Sequence, residues 1–298
     1  MKNATPHTGL LALAAALLVP FAGRAQDTDS IATDRPDQTT SAASVPAGFL
    51  QVELGWTFAR ESTDFETVDE HALPGILLRV GLGAGLEARL GFGGYILREV
   101  GTPLDEGGEI SLDGAGDASL GAKLEVAGWE TGQLALLGGI TLPVGDEAFS
   151  SERADPSFWI LADQGLGDRL SLGANLGLAW TTAPDVAVLP AGLDPSASRV
   201  PVANRSRRLG RTEALDTQLE APYTLALYIG VSDRVGAFVE SFGAFGLGDD
   251  RDSAHGLDAG LTLLLSSRLQ LDASGGVGLN EAAEDWFIGS GISFRLPR

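Results

Sequence analysis

The sequence lacks cysteine altogether and is poor in basic residues, with 20 lysines and arginines against 40 aspartates and glutamates. Without cysteine, neither a disulfide framework nor a thiolate metal site can form. The formal net charge of −20 argues against nucleic acid as a partner, because binding to phosphates requires a basic surface. Beyond the N-terminus, no apolar run reaches the about 20 residues that a transmembrane helix requires.

An apolar run from Leu10 to Phe21 follows Lys2 at the N-terminus. It is too short for a membrane anchor, and the small residues Gly23 and Ala25 follow it at the spacing that signal peptidase accepts. We therefore predict that residues 1–25 are a signal peptide, cleaved after Ala25.

What the sequence does contain is an alternation of apolar and polar residues, which is clearest in Leu257–Leu265 and Leu269–Leu279. This period places the two kinds of side chain on opposite faces of a strand, and Ser266-Ser267 has the length of a tight antiparallel turn. One face is apolar and the other consists largely of aspartate, glycine and other polar residues. Such a pattern, repeated along a glycine-rich chain, is typical of a β-barrel in a lipid bilayer.

Twelve such runs are present, an even number, as expected for a single-chain bacterial barrel. Connections after the even-numbered runs are short, and those after the odd-numbered runs are mostly longer, up to Thr181–Pro222. We therefore predict an all-β, up-and-down antiparallel transmembrane barrel over residues 49–298, with tight periplasmic turns and both termini in the periplasm. The predicted strands are Leu50–Phe58, Ala72–Leu82, Leu86–Gly93, Asp117–Val126, Gln133–Leu142, Ser157–Asp163, Leu170–Trp180, Tyr223–Val231, Arg234–Phe245, Leu257–Leu265, Leu269–Leu279 and Trp286–Phe294.

The charged residues of these strands fall on the face opposite the aliphatic one. A charge facing lipid near the bilayer centre would cost about 2–4 kcal/mol, so these residues are candidates for the lining of the lumen. Their alternative role is structural, because opposite charges such as Glu87 and Arg89 can pair across the interior. The candidates are Glu53, Arg79, Glu87, Arg89, Asp117, Lys123, Glu125, Asp163, Glu240, Asp258, Asp272 and Arg295.

Aromatic residues at the outer ends of the strands share the apolar face and predict an interfacial girdle. They are Trp56, Phe58, Phe92, Phe158, Trp180, Tyr223, Phe245 and Trp286.

Residues 26–48 are polar, contain Pro36 and Pro46, and show no periodicity. We predict a periplasmic N-terminal segment that forms no strand. It is long enough to enter the lumen as a plug, where Asp34 and Arg35 would find partners.

Several short motifs resemble the transporter-like outer-membrane family named for the meta-pathway of phenol degradation. They include Thr33-Asp34-Arg35-Pro36-Asp37, Val45–Glu53, Leu142–Gly145, Leu257–Gly260 and Gly291–Arg295, and they spread over nearly all of the mature chain. The resemblance implies an outer-membrane barrel that passes small, often hydrophobic or aromatic, compounds. It implies no catalytic or binding residues.

A barrel hydrolase is one alternative, and it would need a histidine beside a serine or an acid. Of the histidines after residue 25, His71 lies at the start of a loop, and His255 has Ser253 nearby, which falls short of a triad. We therefore predict that the protein is not an enzyme. Two dispersed histidines suggest no metal site, the acidic runs Asp64–Glu70 and Asp249–Asp252 lack calcium-ligand spacing, and no cofactor site is indicated.

The longest loop carries a basic cluster that would suit lipopolysaccharide phosphates, since guanidinium groups bind phosphate in a bidentate manner. A solvated loop that balances local acid is the alternative. The cluster comprises Arg199, Arg205, Arg207, Arg208 and Arg211. The sequence thus favours an outer-membrane channel in contact with lipid that passes small solutes, and a non-conducting structural or adhesion barrel remains a further alternative.

Overall fold

The computed structural model describes residues 30–63, 66–101, 109–182, 217–247 and 253–298. One short 3₁₀ helix, Glu147–Phe149, is present among them, and no helix in these ranges is long and apolar enough to cross a membrane. The strands are β1 (Phe49–Ser62), β2 (Thr67–Gly83), β3 (Leu86–Phe92), β4 (Tyr95–Gly101), β5 (Glu109–Ala115), β6 (Ala118–Trp129), β7 (Gly132–Leu142), β8 (Asp155–Gly165), β9 (Leu170–Thr182), β10 (Thr217–Gly230), β11 (Val235–Leu247), β12 (Ala254–Ser266), β13 (Leu269–Gly278) and β14 (Trp286–Pro297).

These strands form one antiparallel sheet that closes on itself, because β1 pairs with both β14 and β2. The second half of β2 pairs with β3 and its first half with β4. Beyond them, β3 pairs with β6 and β4 with β5. Thus β3 and β4 together make one strand of the barrel wall, and β5 and β6 make the next. The result is a closed twelve-stranded antiparallel barrel, which confirms the fold prediction.

The wall is interrupted where β3 passes into β4 and β5 into β6. The amide of Gly93 donates to the carbonyl of Asp117 at 2.9 Å, and that of Gly116 donates to Gly94 at 2.8 Å. Gly94 has φ +98°, and a Cβ there would lie 3.1 Å from the backbone nitrogen of Leu73. Glycine at these positions therefore lets the wall strand made of β3 and β4 change direction beside the one made of β5 and β6. The β4–β5 pair, which lies outside the predicted strands, extends the wall at its outer end.

Apolar side chains cover the outside of the barrel between two polar rims. Leu176 and Leu261 are each 57% exposed in the isolated chain, as lipid-facing residues would be. At the outer rim the rings of Phe58 and Trp286 lie 5.1 Å apart, and those of Tyr223 and Phe245 lie 5.3 Å apart. An apolar band bounded by aromatic rings is the outer surface of a membrane-spanning barrel.

Candidate functional site

The N-terminal segment, residues 30–48, lies inside the barrel. It enters beside the β12–β13 turn, where the Ile31 amide donates to the Ser267 carbonyl at 2.8 Å. It leaves at the same end, where Gly48 accepts from the amide of Arg298 at 2.7 Å before β1 begins. Between these points Arg35 and Ala42 are almost fully buried. Because the β12–β13 turn is one of the short turns, both ends of the segment lie at the predicted periplasmic rim.

A buried ionic network holds the segment against β2 and β3. The carboxylate of Asp34 lies 3.1 Å from Arg79 and 2.7 Å from Arg89, and its backbone amide donates to Glu53 at 3.0 Å. Arg79 also lies 3.0 Å from Glu53 and 2.9 Å from Glu87. The side chains of this network are at most 1% exposed. Opposite charges therefore compensate one another away from water, which buried ionic groups require.

Next to this network, charged side chains of the wall bind the backbone of the segment. The Lys123 ammonium donates to the carbonyls of Ser41 and Ala43 at 2.9 and 2.6 Å. The amide of Val45 donates to Glu87 at 2.7 Å, and that of Ser44 donates to the carboxylate of Glu125 at 2.6 Å. These contacts satisfy polar backbone groups of a segment that has no regular secondary structure.

The opposite side of the wall holds the segment through acidic residues. Arg35 forms an ion pair of 3.0 Å with Asp272. The Gln38 amide donates to Glu240 at 2.7 Å, and the Ala42 amide donates to Asp163 at 2.9 Å.

Asp37 faces the same acidic side of the wall and accepts a short hydrogen bond from Tyr228. Burial raises the pKa of the Asp37 carboxyl well above its usual range, and the nearby Asp258 carboxylate raises it further against that hydrogen bond. Asp37 is therefore a half-buried acid close to other acids.

Glycines shape the wall to fit the segment. A Cβ on Gly55 would overlap the Arg35 guanidinium, and Gly291, directly opposite Gly55 on β14, borders the same group. A Cβ on Gly81 would overlap the backbone carbonyls of Val45 and Pro46. The wall and the segment are thus complementary in shape as well as in charge.

Ten of the twelve candidate residues for the lumen lining bind this segment. Of the remaining two, Arg295 donates to Gln51 at 3.1 Å, and Asp117 accepts from the amides of Val144 and Gly145 at 3.1 and 2.9 Å. Asp117 thereby holds the β7–β8 loop. The ten that contact residues of the segment are Glu53, Arg79, Glu87, Arg89, Lys123, Glu125, Asp163, Glu240, Asp258 and Asp272.

The inward charges are distributed unequally around the barrel. Strands β2, β3, β4 and β6 carry Arg79, Arg89, Arg98 and Lys123, whereas the seven strands from β7 to β13 contain no lysine or arginine. The buried acids of those seven strands include Asp155, Glu220, Glu240, Asp258 and Asp272. One side of the lumen therefore carries acids alone, and the other side carries both signs.

Apolar side chains also face the interior, which the alternation pattern did not predict. Leu137, Trp159 and Leu161 cluster with Ala42 of the N-terminal segment. Phe242 and Phe287 form a second cluster with Ala59, with their rings 6.0 Å apart. The signal for Phe242 was present in the sequence, since it shares a face with Glu240.

The β7–β8 loop folds inward at the outer mouth. Phe149 of this loop packs against Ala72 and Ile96 on the inner face of β2 and β4. Arg98 stands 4.9 Å from the Phe149 ring centroid and pairs with Glu70 at 2.7 Å. The loop thus narrows the barrel above the N-terminal segment.

Other predicted features lie away from the lumen or outside the described residues. His255 faces outward, and its Nδ1 lies 3.0 Å from the Tyr223 hydroxyl at the outer rim. In the described ranges no group of three potential metal ligands occurs. The signal peptide (residues 1–25), the arginine cluster from Arg199 to Arg211 and the acidic run Asp249–Asp252 lie outside the described residues.

A closed barrel of twelve strands with an apolar outside and an interior filled by an N-terminal segment defines a porin-like outer-membrane β-barrel. Residues 33–296 match the family described as "Putative MetA-pathway of phenol degradation", and the chain belongs to this family. The resemblance seen in the sequence is thereby confirmed.

A solved structure with a TM-score above 0.5 supports the assignment of the fold. An outer membrane channel from Pseudomonas putida F1 matches with a TM-score of 0.61 and 14% identity, over 86% of this chain and 98% of that chain. The NanC porin matches with a TM-score of 0.48 and 9% identity, over 83% and 100% of the two chains. The CymD monoaromatic hydrocarbon channel matches with a TM-score of 0.42 and 8% identity, over 85% and 89%. A search of curated proteins found no match.

Proposed function

We propose that the protein is an outer-membrane channel for small hydrophobic or aromatic molecules and that its N-terminal segment closes the lumen. The observation that carries this proposal is the position of Trp159, Phe242 and Phe287 inside the barrel. The interior of a water-filled porin is polar, because its solutes are hydrated. Aromatic and aliphatic groups in this lumen instead provide contacts for an apolar solute. The family to which the chain belongs is named for the degradation of phenol, an aromatic compound.

The second part of the proposal concerns closure by the segment. Its anchors are hydrogen bonds and ion pairs such as those of Asp34 and Arg35. Water can replace each of these bonds when the segment leaves, so displacement does not leave the wall charges without partners. The apolar contact of the segment is limited, since Ile31, Ala42 and Val45 are the apolar core residues that it buries. We infer that the segment can leave the lumen while the barrel stays intact.

A deletion of Asp27 to Ser44 tests both parts. The purified, refolded variant should keep the mobility shift of a folded barrel on an unheated gel, and its single-channel conductance should exceed that of the full chain several-fold. Proteoliposomes should take up a neutral aromatic compound faster than a sugar of the same size. Loss of the folded barrel would show that the segment is structural, and equal uptake of the two solutes would contradict the proposed preference.

A further inference from the structure

A cavity of about 380 Å³ lies between the N-terminal segment and the wall at the periplasmic end. The segment contributes Pro36 and Asp37, and the wall contributes Leu172, Tyr228 and Phe238 from β9, β10 and β11. The volume lies within the range of about 300–1,000 Å³ that is usual for small-molecule sites. Apolar surface with a few polar groups is also the usual composition of such sites. The cavity is therefore suited to a compact organic molecule.

The cavity lies on the acidic side of the lumen. Arg35 is the one cation among the described residues that line it, and its guanidinium is paired with Asp272. Two acids, Asp37 and Asp163, line it as well. Behind Asp37 stand Glu240 and Asp258, which face each other across β11 and β12. Buried acids in such proximity repel one another, so a positive charge in the cavity is favoured and a negative charge is disfavoured.

Two aromatic rings complete the site. Tyr228 and Phe238 lie 6.4 Å apart at an angle of 45° on neighbouring strands, and both line the cavity. The face of an aromatic ring attracts a cation, most strongly where water is excluded. Rings next to a carboxyl group form the usual environment for an ammonium group that carries an apolar substituent.

We propose that this cavity binds a small organic cation, namely an amine or quaternary ammonium compound with an apolar group. The ammonium lies near Asp37, and the apolar part lies against Phe238 and Pro36. Binding at this site goes beyond the proposed transport of hydrophobic or aromatic molecules and does not require it, whereas the effect on channel opening rests on the proposed closure by the segment. Because the segment forms part of the cavity, a bound cation stabilises the closed state, and the stabilisation grows with the logarithm of the cation concentration once that exceeds the dissociation constant.

The test compares three ligands of one shape, namely 2-phenylethylammonium, 2-phenylethanol and phenylacetate. Isothermal titration of the full-length mature protein in a zwitterionic detergent should give at least tenfold tighter binding of the cation than of the alcohol, and phenylacetate should bind weakest. In a planar bilayer, the ammonium compound added on the periplasmic side should lower the frequency of opening. Equal affinities for the three ligands would overturn the proposal.

Two variants locate the site. Asp37→Asn should bring the affinities of the cation and the alcohol to within about threefold of each other. Phe238→Leu should weaken binding of the cation several-fold. It alters a wall residue that has no polar bond to the segment. Glu130→Gln, at an exposed turn between β6 and β7, is the matched control and should change nothing. If Asp37→Asn releases the segment and raises the conductance, the affinity of Phe238→Leu for the cation becomes the deciding measurement. Unchanged cation binding in Phe238→Leu would then reject the site.

Discussion

The guanidinium group of Arg35 lies in a notch that exists because residue 55 is glycine. The atoms nearest to a Cβ built on Gly55 are Nη1, Cζ and Nη2 of Arg35. From this notch Arg35 reaches Asp272, which lies two strands away from Gly55 around the barrel. A single missing methyl group in the wall therefore defines where the N-terminal segment is seated.

We expect Gly55→Ala to displace Arg35 without disturbing the wall. The new methyl group overlaps the end of a flexible side chain, and alanine is otherwise tolerated in a strand better than glycine. The variant should assemble normally and show more frequent or larger openings in single-channel recordings. Gly128→Ala is the control, because a Cβ there meets no atom within 4 Å. If Gly55→Ala conducts like the control, Arg35 is not needed for closure.

Replacement of Arg79 should have a large effect on stability. Its guanidinium contacts Asp34, Glu53 and Glu87, and all four side chains are at most 1% exposed. Removal of one partner from a buried ionic group typically costs about 3–5 kcal/mol, so Arg79→Met should unfold at a markedly lower temperature. Arg234→Met, at an exposed turn, should stay within about 0.5 kcal/mol of the parent. Similar melting temperatures for the two variants would show that the network is not a source of stability.

Two neighbouring residues in β12 should differ in their tolerance to charge. Leu261 is 57% exposed on the lipid side, whereas Thr262 lines the periplasmic cavity inside the barrel. Leu261→Arg should therefore destabilise the barrel by about 2–4 kcal/mol if it lies near the bilayer centre, and Thr262→Arg should cost much less. The fraction of folded barrel on an unheated gel measures the difference. Equal losses would mean that the register of β12 is not as described.

Loss of the Phe149 side chain should release the outer loop. Phe149 is buried against Ala72 and Ile96, and truncation of such a ring usually costs about 3–5 kcal/mol where the surroundings cannot collapse. When the Phe149→Ala variant is reconstituted in proteoliposomes, trypsin should cleave the protein after Arg153 faster than it cleaves the parent, while the barrel stays folded. Val144→Ala is a control in the same loop, since Val144 is 64% exposed. Equal cleavage of both variants would argue against the inward anchor.

Alternation predicted the twelve strands well because lipid and lumen impose opposite demands on the two faces. The β4–β5 pair was outside that prediction for a physical reason. On this pair Tyr95 bonds to Asp113 on the outward side, and Glu99 is also exposed there. The pair therefore stands beyond the apolar band, and the rule of an apolar outside does not apply to it.

The lumen was predictable in part. Position along each strand indicated which charged residues face inward, but it gave no information about their partners. Those partners come from a segment without periodicity, and contacts such as Arg35 with Asp272 join residues 237 positions apart. The register also placed Trp159 and Phe287 inward, next to the outward Phe158 and Trp286, but the alternation rule gave no reason for apolar side chains on the inner face.

The pore should show a modest preference for cations. The acidic side of the lumen concentrates positive ions near residues such as Glu240 and Asp258. Reversal potentials in a KCl gradient should indicate cation selectivity at low salt. The selectivity should fade as salt rises, because the charges exposed to solvent at the mouth are screened beyond about 10 Å at 0.1 M, whereas buried ones such as Glu240 are screened much less. Glu240→Gln should reduce the cation selectivity. Anion selectivity at low salt would contradict the acidic character assigned to the lumen, unless deletion of the Arg199–Arg211 region restored cation selectivity.

The position of the segment also sets an order of events during biogenesis. Residues 30–48 are synthesised before every strand, yet their partners extend from Glu53 in β1 to Asp272 in β13. Contacts between residues so far apart in sequence form late, because both β1 and β13 must be in place before the segment can contact them. The segment that is made before every strand is therefore the last to reach its place. A barrel that fails to close leaves this segment outside the lumen, where proteases can distinguish the unfinished barrel from a finished one.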